Sequence, residues 1–374
     1  MNPNETYKGL TFCDLGQGIA APHATMLFAQ HGANVVKVEP PEGDWVRTLG
    51  EPHGDQTASS LVYNLGKRSI TVDLKSAAGK DTIHKLIAAS DVFVESFRPG
   101  VITRLGLSYD EVRAINPKII YASLSGFGQT GPYSKRGTVD ALVQGFSGMM
   151  VMNQAGDGVP RRQNMTAVDV LSGLYLFAAI AMAIERRHRS GEGGFIDLSL
   201  MQAAASFQSS KILDHHITDG KAQHLYMPAG MLEASDGAIV ISTMRHEHWV
   251  NLCEGLQCPG LVDDLRFAEK AGRLANGDVL MQELSAASRR FTVDQLLERL
   301  QALGVFCERL LDYGQWMQDR HVQAAQAYEW VDAPGFGRVP LVAFPGSQGH
   351  PRAGWQKKAP HIGEHTEEVL RELG

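Results

Sequence analysis

Residues 9–41, GLTFCDLGQGIAAPHATMLFAQHGANVVKVEPP, decide the fold. Residues 9–16 are a short apolar run ending in glycine and read as a strand. Pro22 to His31 reads as a helix closed by Gly32, and Asn34 to Glu39 as a second strand stopped by Pro40 and Pro41. A strand–helix–strand unit of ~30 residues has the size of a parallel crossover, and dinucleotide-binding folds begin this way. Glu39 sits where a ribose-binding acid is expected. The turn glycines, however, fall as Gly16-Gln17-Gly18 with Ala21 in place of the third. The bulk of Gln17 and Ile19, and a proline that removes one N–H from the helix start, argue against a nicotinamide site.

The alternation continues outward. Ser69 to Leu74, Asp91 to Glu95 and Lys118 to Leu124 read as strands. Between them, Ala77 to Ala89 is an amphipathic helix with apolar Ile83, Leu86 and Ile87, and Tyr109 to Ile115 is helical. Such a series predicts an α/β fold with a doubly wound parallel sheet, whose ligands lie beyond the carboxyl ends of the strands. At those ends stand Gln17, then Asp73-Leu74-Lys75, then Ser96, Phe97, Arg98 and Arg104, then SGFGQTGPYSKRG with Lys135 and Arg136. Each Lys or Arg alone reads as a surface charge. Together, beside a Phe97 ring able to pack on a base, they predict a nucleotide-bearing ligand held without a Walker lysine loop.

Residues 161–200, RRQNMTAVDVLSGLYLFAAIAMAIERRHRSGEGGFIDLSL, place an acid beside an apolar helix. The apolar run from Ser172 to Ile184 reads as a buried helix, too short to span a bilayer, closing on Arg186, Arg187, His188 and Arg189 before Gly191. A strand from Phe195 to Leu200 follows. Asp169, just ahead of that run, has two readings. As an N-cap it accepts a backbone N–H and contributes about 1 kcal/mol. As a nucleophile it is an ionised carboxylate stabilised by the helix N-terminus, with spare N–H donors for an oxyanion.

Farther on, a helical connector over 201–223 leads to a hairpin around EASDG (233–237). Helices follow at 246–256, 276–290 and 292–303, the last capped by Thr292, and a closing segment ends in APHIGEHTEEVLRELG. With 374 residues, 44% of them hydrophobic, the chain is long enough for two domains. A net charge of -6, with no basic run longer than 186–189, argues against a nucleic-acid partner. No run of about 18 apolar residues and no basic-then-apolar leader is present, so neither membrane insertion nor secretion is expected, and a cytoplasmic location is. The four cysteines form no CxxC pair, and the 14 histidines, including His246, His248 and the pair His215-His216, form no HExxH. Neither a disulfide framework nor a metal site is expected.

Several long blocks together resemble the class III coenzyme A transferases, the family of formyl-CoA and carnitine-CoA transferases with alpha-methylacyl-CoA racemase as a side branch. The resemblance runs nearly end to end. Its blocks are GANVVKVEPPEGD with Arg47, NLGKRSITVDLKSAAG, DVFVESFRPGVITRLGLSYDEVRAINPKIIYASLSGFGQTGPY, the Asp169 to Gly173 spacing with RRHRSGEGGFIDLSLMQA, and GEHTEEVLRELG. It implies a Rossmann-like large domain (1–222 and 320–374), a smaller α+β domain (223–319) and an interlocked homodimer. It implies that Asp169 is the catalytic nucleophile, forming an anhydride and then an aspartyl-CoA thioester. CoA enters as a substrate and not as a prosthetic group, and its nucleotide is expected at Asp73, Leu74, Lys75, Ser96, Phe97, Arg104 and Lys135.

Two departures bear on the substrate pocket, expected at Gln17, Ile19, Val139 and Asp140. The formyl-CoA branch has glutamine where this chain has Ile19, and a glycine-rich loop missing around Met227 to Gly230, which disfavours formate and oxalate. The racemase branch has histidine before the aspartate where this chain reads Gly137-Thr138-Val139-Asp140, with His246 near the region of that branch's auxiliary acid. Valine cannot exchange a proton, so racemisation is the disfavoured alternative. A non-catalytic acyl-CoA-binding protein is the third reading. An intact Asp169 argues against it.

Overall fold

A computed structural model describes residues 5–154, 158–220, 225–345 and 357–374. Six strands, β1 (Thr11–Leu15), β2 (Asn34–Glu39), β3 (Arg68–Thr71), β4 (Val92–Glu95), β5 (Ile120–Ser125) and β6 (Gly194–Ser199), form one sheet in the order β3-β2-β1-β4-β5-β6. Every pairing in it is parallel. The order reverses between β1 and β4, and that switch point opens a crevice at the carboxyl ends of both strands.

Helix α1 (Ala20–Gln30), α2 (Ala77–Ala88) and α3 (Tyr109–Ile115) follow the expected pattern, with Ile83, Leu86 and Ile87 of α2 buried. After β5 come α4 (Asp140–Phe146), α5 (Ala167–Ser190) and α6 (Leu200–Phe207). Two layers of core cover the sheet. One packs α1 and α5 on it through Phe28, Leu176 and Ile180, and the other packs α2 and α3 through Ile83 and Val112.

Helix α5 departs from the expectation in length and in burial. Its 24 residues are long and apolar enough, by composition, to cross a membrane, so the expected shortness does not hold. It begins at Ala167, with Thr166 at its cap position, and so takes Asp169 into its first turn. One face is core, whereas Leu174, Tyr175 and Met182 on it are exposed.

The chain divides into two compact units, Met1–Ser209 with Gln326–Gly374, and Ser210–Ala325. The break expected after residue 222 falls in 221–224, outside the described residues. Within the second unit, β7 (Ala229–Glu233), β8 (Ala238–Ser242) and β9 (Phe306–Arg309) form an antiparallel sheet. Packed on it are α7 (His246–Gly255), α8 (Gly277–Ser288) and α9 (Val293–Ala302), the last closed by a Thr292–Gln295 capping box. In the first unit, a β10 (Glu329–Ala333) and β11 (Gly337–Leu341) hairpin and α10 (Thr366–Leu373) bring the chain back to the large sheet. Arg68 of β3 pairs there with Glu368 and Glu372, at 2.9 and 2.7 Å.

Candidate active site

The turn after β1 is held by buried charge, and its amides already have acceptors and so are not offered to a pyrophosphate. Gly18 N–H donates to Asp44 at 3.0 Å, Gly16 N–H to Asp14 at 2.9 Å and Gln17 N–H to Ser96 Oγ at 2.8 Å. Lys37 Nζ bridges Asp44 and the Gly16 carbonyl at 2.7 and 2.8 Å. Lys67 Nζ bridges Asp14 and the Pro22 carbonyl, each at 2.9 Å. Burial pushes the Lys67 ammonium down to about 8 against the pull of Asp14. Glu39, expected as a ribose ligand, is engaged instead. Arg47 grips it twice at 2.7 Å, Ser69 Oγ reaches it at 2.6 Å, and although burial opposes ionisation these bonds hold its carboxyl at about 2.

Two cavities open at the switch point. The larger, about 780 Å³, is lined by Asp73, Leu74 and Lys75 after β3, by Pro40 to Asp44 after β2, and by Val101 and Leu105. The smaller, about 270 Å³, is lined by Ile19, Ala20, Ser96, Arg98, Ser125, Arg136, Val139 and Asp169. Gln17, Trp45 and Phe97 line both, so an elongated ligand can run from one to the other over these three side chains. Trp45 lies where any side chain at residue 18 would go. A Cβ there would stand 2.3 Å from the Trp45 ring, and φ is +78°.

Asp169 occupies the third position of α5, not its N-cap. The cap residue is Thr166, and its side chain makes no capping bond. The Asp169 carboxylate accepts no hydrogen bond among the described residues and lines the smaller cavity. Burial, reinforced by the nearby Asp140 charge, pushes its pKa up to about 7. Helix α1 crosses α5 here: His23 Nδ1 lies 3.2 Å from the Val170 carbonyl, and burial pushes that imidazole down to about 4.

Of the residues expected to bind CoA, Asp73, Leu74, Lys75, Ser96 and Phe97 line the cavities, while Arg104 and Lys135 are exposed and line neither. Ser96 also ties the β4 loop to Gln17. Gln17, Ile19 and Val139 line the pocket as expected. Asp140 does not, because it is 6% exposed and turns its carboxylate to the start of α5. Sequence reasoning did not single out Trp45 or Thr138, and it took Arg98 and Arg136 as nucleotide-edge charges although both line the Asp169 cavity. A side chain's direction around a loop has no periodic signal.

A parallel α/β sheet with a carboxylate-bearing cavity adjoining a larger one at its switch point has the form of a site for an elongated, nucleotide-bearing ligand. The chain belongs to CoA-transferase family III, whose model matches residues 7–366. It is 36% identical to the acetyl-CoA:oxalate CoA-transferase of Acetobacter aceti over 83% of this chain and 82% of that protein. It is 30% identical to the succinate–glutarate CoA-transferase of Agrobacterium fabrum over 100% of this chain and 96% of that protein. A CAIB/BAIF family protein from Brucella suis superposes with a TM-score of 0.86 at 30% identity, covering 99% of this chain and 100% of that one. The protein is thus a class III CoA transferase, and CoA thioesters are its substrates.

Proposed function

We propose that this enzyme moves CoA between dicarboxylic acids through covalent intermediates on Asp169. The observation that carries the covalent step is an Asp169 carboxylate with no donor among the described residues, facing a cavity that adjoins a nucleotide-sized one. An Asp169 oxygen attacks the donor thioester carbonyl, and the C–S bond breaks to give a mixed anhydride and CoA thiolate. The thiolate attacks the aspartyl carbonyl, which forms the Asp169–CoA thioester and releases the donor acid. The acceptor carboxylate then attacks that thioester and expels the thiolate. Attack of the thiolate on the acceptor's acyl carbonyl forms the product thioester and restores Asp169. The ionised carboxylate is itself the nucleophile and needs no general base, and each exchange conserves an activated acyl bond, so the cycle needs no ATP.

Support for the acid class is the pair Arg98 and Arg136, which line the small cavity and make no ion pair among the described residues. Arg136 is steadied instead by the Tyr133 ring, 5.2 Å away. A guanidinium suits a second carboxylate remote from the reacting one. The relatives are named for the diacids oxalate, glutarate and succinate, the oxalate relative with acetyl-CoA as its other substrate. The oxalate relative also weakens the case against oxalate made from Ile19. Val139, 53% exposed on the cavity, offers no proton-transfer group, which keeps racemisation the lesser reading.

A homodimer belongs to the same reading. Met182 and Leu174 on α5 and Leu142 and Phe146 on α4 leave apolar surface that a second copy would cover. Mass spectrometry of acyl-CoA donors against monocarboxylic and dicarboxylic acids tests the substrate class. The proposal expects dicarboxylates to be turned over, and Arg136→Gln to raise their KM about tenfold with acetate little changed. Equal use of acetate and glutarate would count against it.

A further inference from the structure

We propose that Asp140 is a positioning residue of the transfer reaction: its buried carboxylate pins the first turn of α5 and so fixes where Asp169 stands. The inference rests on the reading of Asp169 as the nucleophile. A helix start leaves N–H groups that need partners, and Thr166 supplies none from its side chain. Asp140, on the neighbouring α4, supplies them from 28 and 29 residues away. Its Oδ2 accepts from Val168 N–H at 2.7 Å and from Asp169 N–H at 3.1 Å. Its Oδ1 accepts from Gln144 Nε2 at 2.6 Å. Gln144, 1% exposed, in turn accepts from Gln163 N–H at 2.8 Å and reaches the Met165 carbonyl at 3.2 Å. Both oxygens of Asp140 are therefore fixed, and the loop feeding α5 is fixed with them.

A neutral cap would satisfy the same amides. An acid at this position also adds a negative charge behind the nucleophile, which reinforces burial, the larger cause, in making Asp169 a stronger base than an isolated aspartate. The other groups facing Asp169 do not supply that charge. Tyr63, at the end of the helix Ala58–Val62, pairs with Thr166, and His23 on α1 is neutral at pH 7. From the cavity side come the cations Arg98 and Arg136.

The test uses the full-length enzyme with Asp140→Asn and Gln144→Leu, read by pH profiles and by infrared titration of the Asp169 carboxyl as a difference against Asp169→Asn. Asp140→Asn is expected to move the Asp169 midpoint to lower pH and, compared above both midpoints where Asp169 is fully ionised, to lower kcat about tenfold, because its NH2 must face a donor, either Gln144 or the helix-start N–H groups, and the turn shifts, with KM for the acyl-CoA nearly unchanged. Gln144→Leu keeps the charge and frees Oδ1, so kcat falls while the midpoint stays. If Asp140→Asn fails to fold, Asp140→Ser carries the same comparison with a short neutral acceptor. An unmoved midpoint, or wild-type kcat in the neutral variant, overturns the inference. The infrared titration needs no turnover, so a fault in the nucleophile reading, seen as activity surviving in Asp169→Asn, is distinguishable from a fault in this one.

Discussion

Burying an acid beside another acid opposes folding, and Asp169 is held that way. Its folded pKa of about 7 stands above the ordinary 3.8, so the native state holds a proton that the unfolded chain releases. Stability from this group is complete below pH ~4 and is lost as pH rises through about 7. Asp169→Asn should therefore raise the melting temperature at pH 8 by the equivalent of about 1–2 kcal/mol and have little effect at pH 4, as calorimetry can check. An unchanged melting temperature at pH 8 would contradict it. Activity should run the other way, since only the ionised carboxylate attacks: kcat should rise with pH through about 7. The acid itself was legible in the sequence as a carboxylate at a helix start. Its environment was not, because the burial that raises its basicity comes from tertiary packing and the carboxylate that holds its helix start lies on another helix.

Among the elements, the strands and the long helices were legible because periodicity reports which face is buried, and β2 and α3 keep their expected limits. Lys37 shows where such reading stops. Inside NVVKVE it resembles a solvent-facing strand residue, yet it is wholly buried against Asp44 under the β1 turn. Alternation cannot distinguish solvent from a buried ion pair. The crossing of α1 and α5 is a further element-scale device. At Gly173 a Cβ would stand 2.7 Å from His23 Nδ1 and 2.8 Å from the Ala20 carbonyl. Gly173→Ala should push the helices apart, destabilise the protein by about 1–3 kcal/mol and disturb the turn carrying Asp169. A denaturant midpoint and kcat both equal to wild type would show that the crossing tolerates the methyl group.

On the scale of the whole molecule, the chain leaves the large unit at Ser209 and returns from Gln326, ending in α10 with Val369 in the core and Arg68 gripping Glu368 and Glu372. If two chains interlock as the family resemblance implies, separating them requires partial unfolding, so dilution to nanomolar concentration should leave the dimer intact in sedimentation. A reversible monomer would argue for simple surface association. The most direct test of the account concerns the covalent bond on which the catalytic reading depends. Incubated with an acyl-CoA donor and hydroxylamine, the wild-type enzyme should yield Asp169 as its hydroxamate, located by mass spectrometry to the peptide that contains it. Asp169→Asn should give no such product and should lose transfer by several orders of magnitude while still binding CoA. An unmodified Asp169 under turnover, or transfer surviving in Asp169→Asn, would contradict the mechanism.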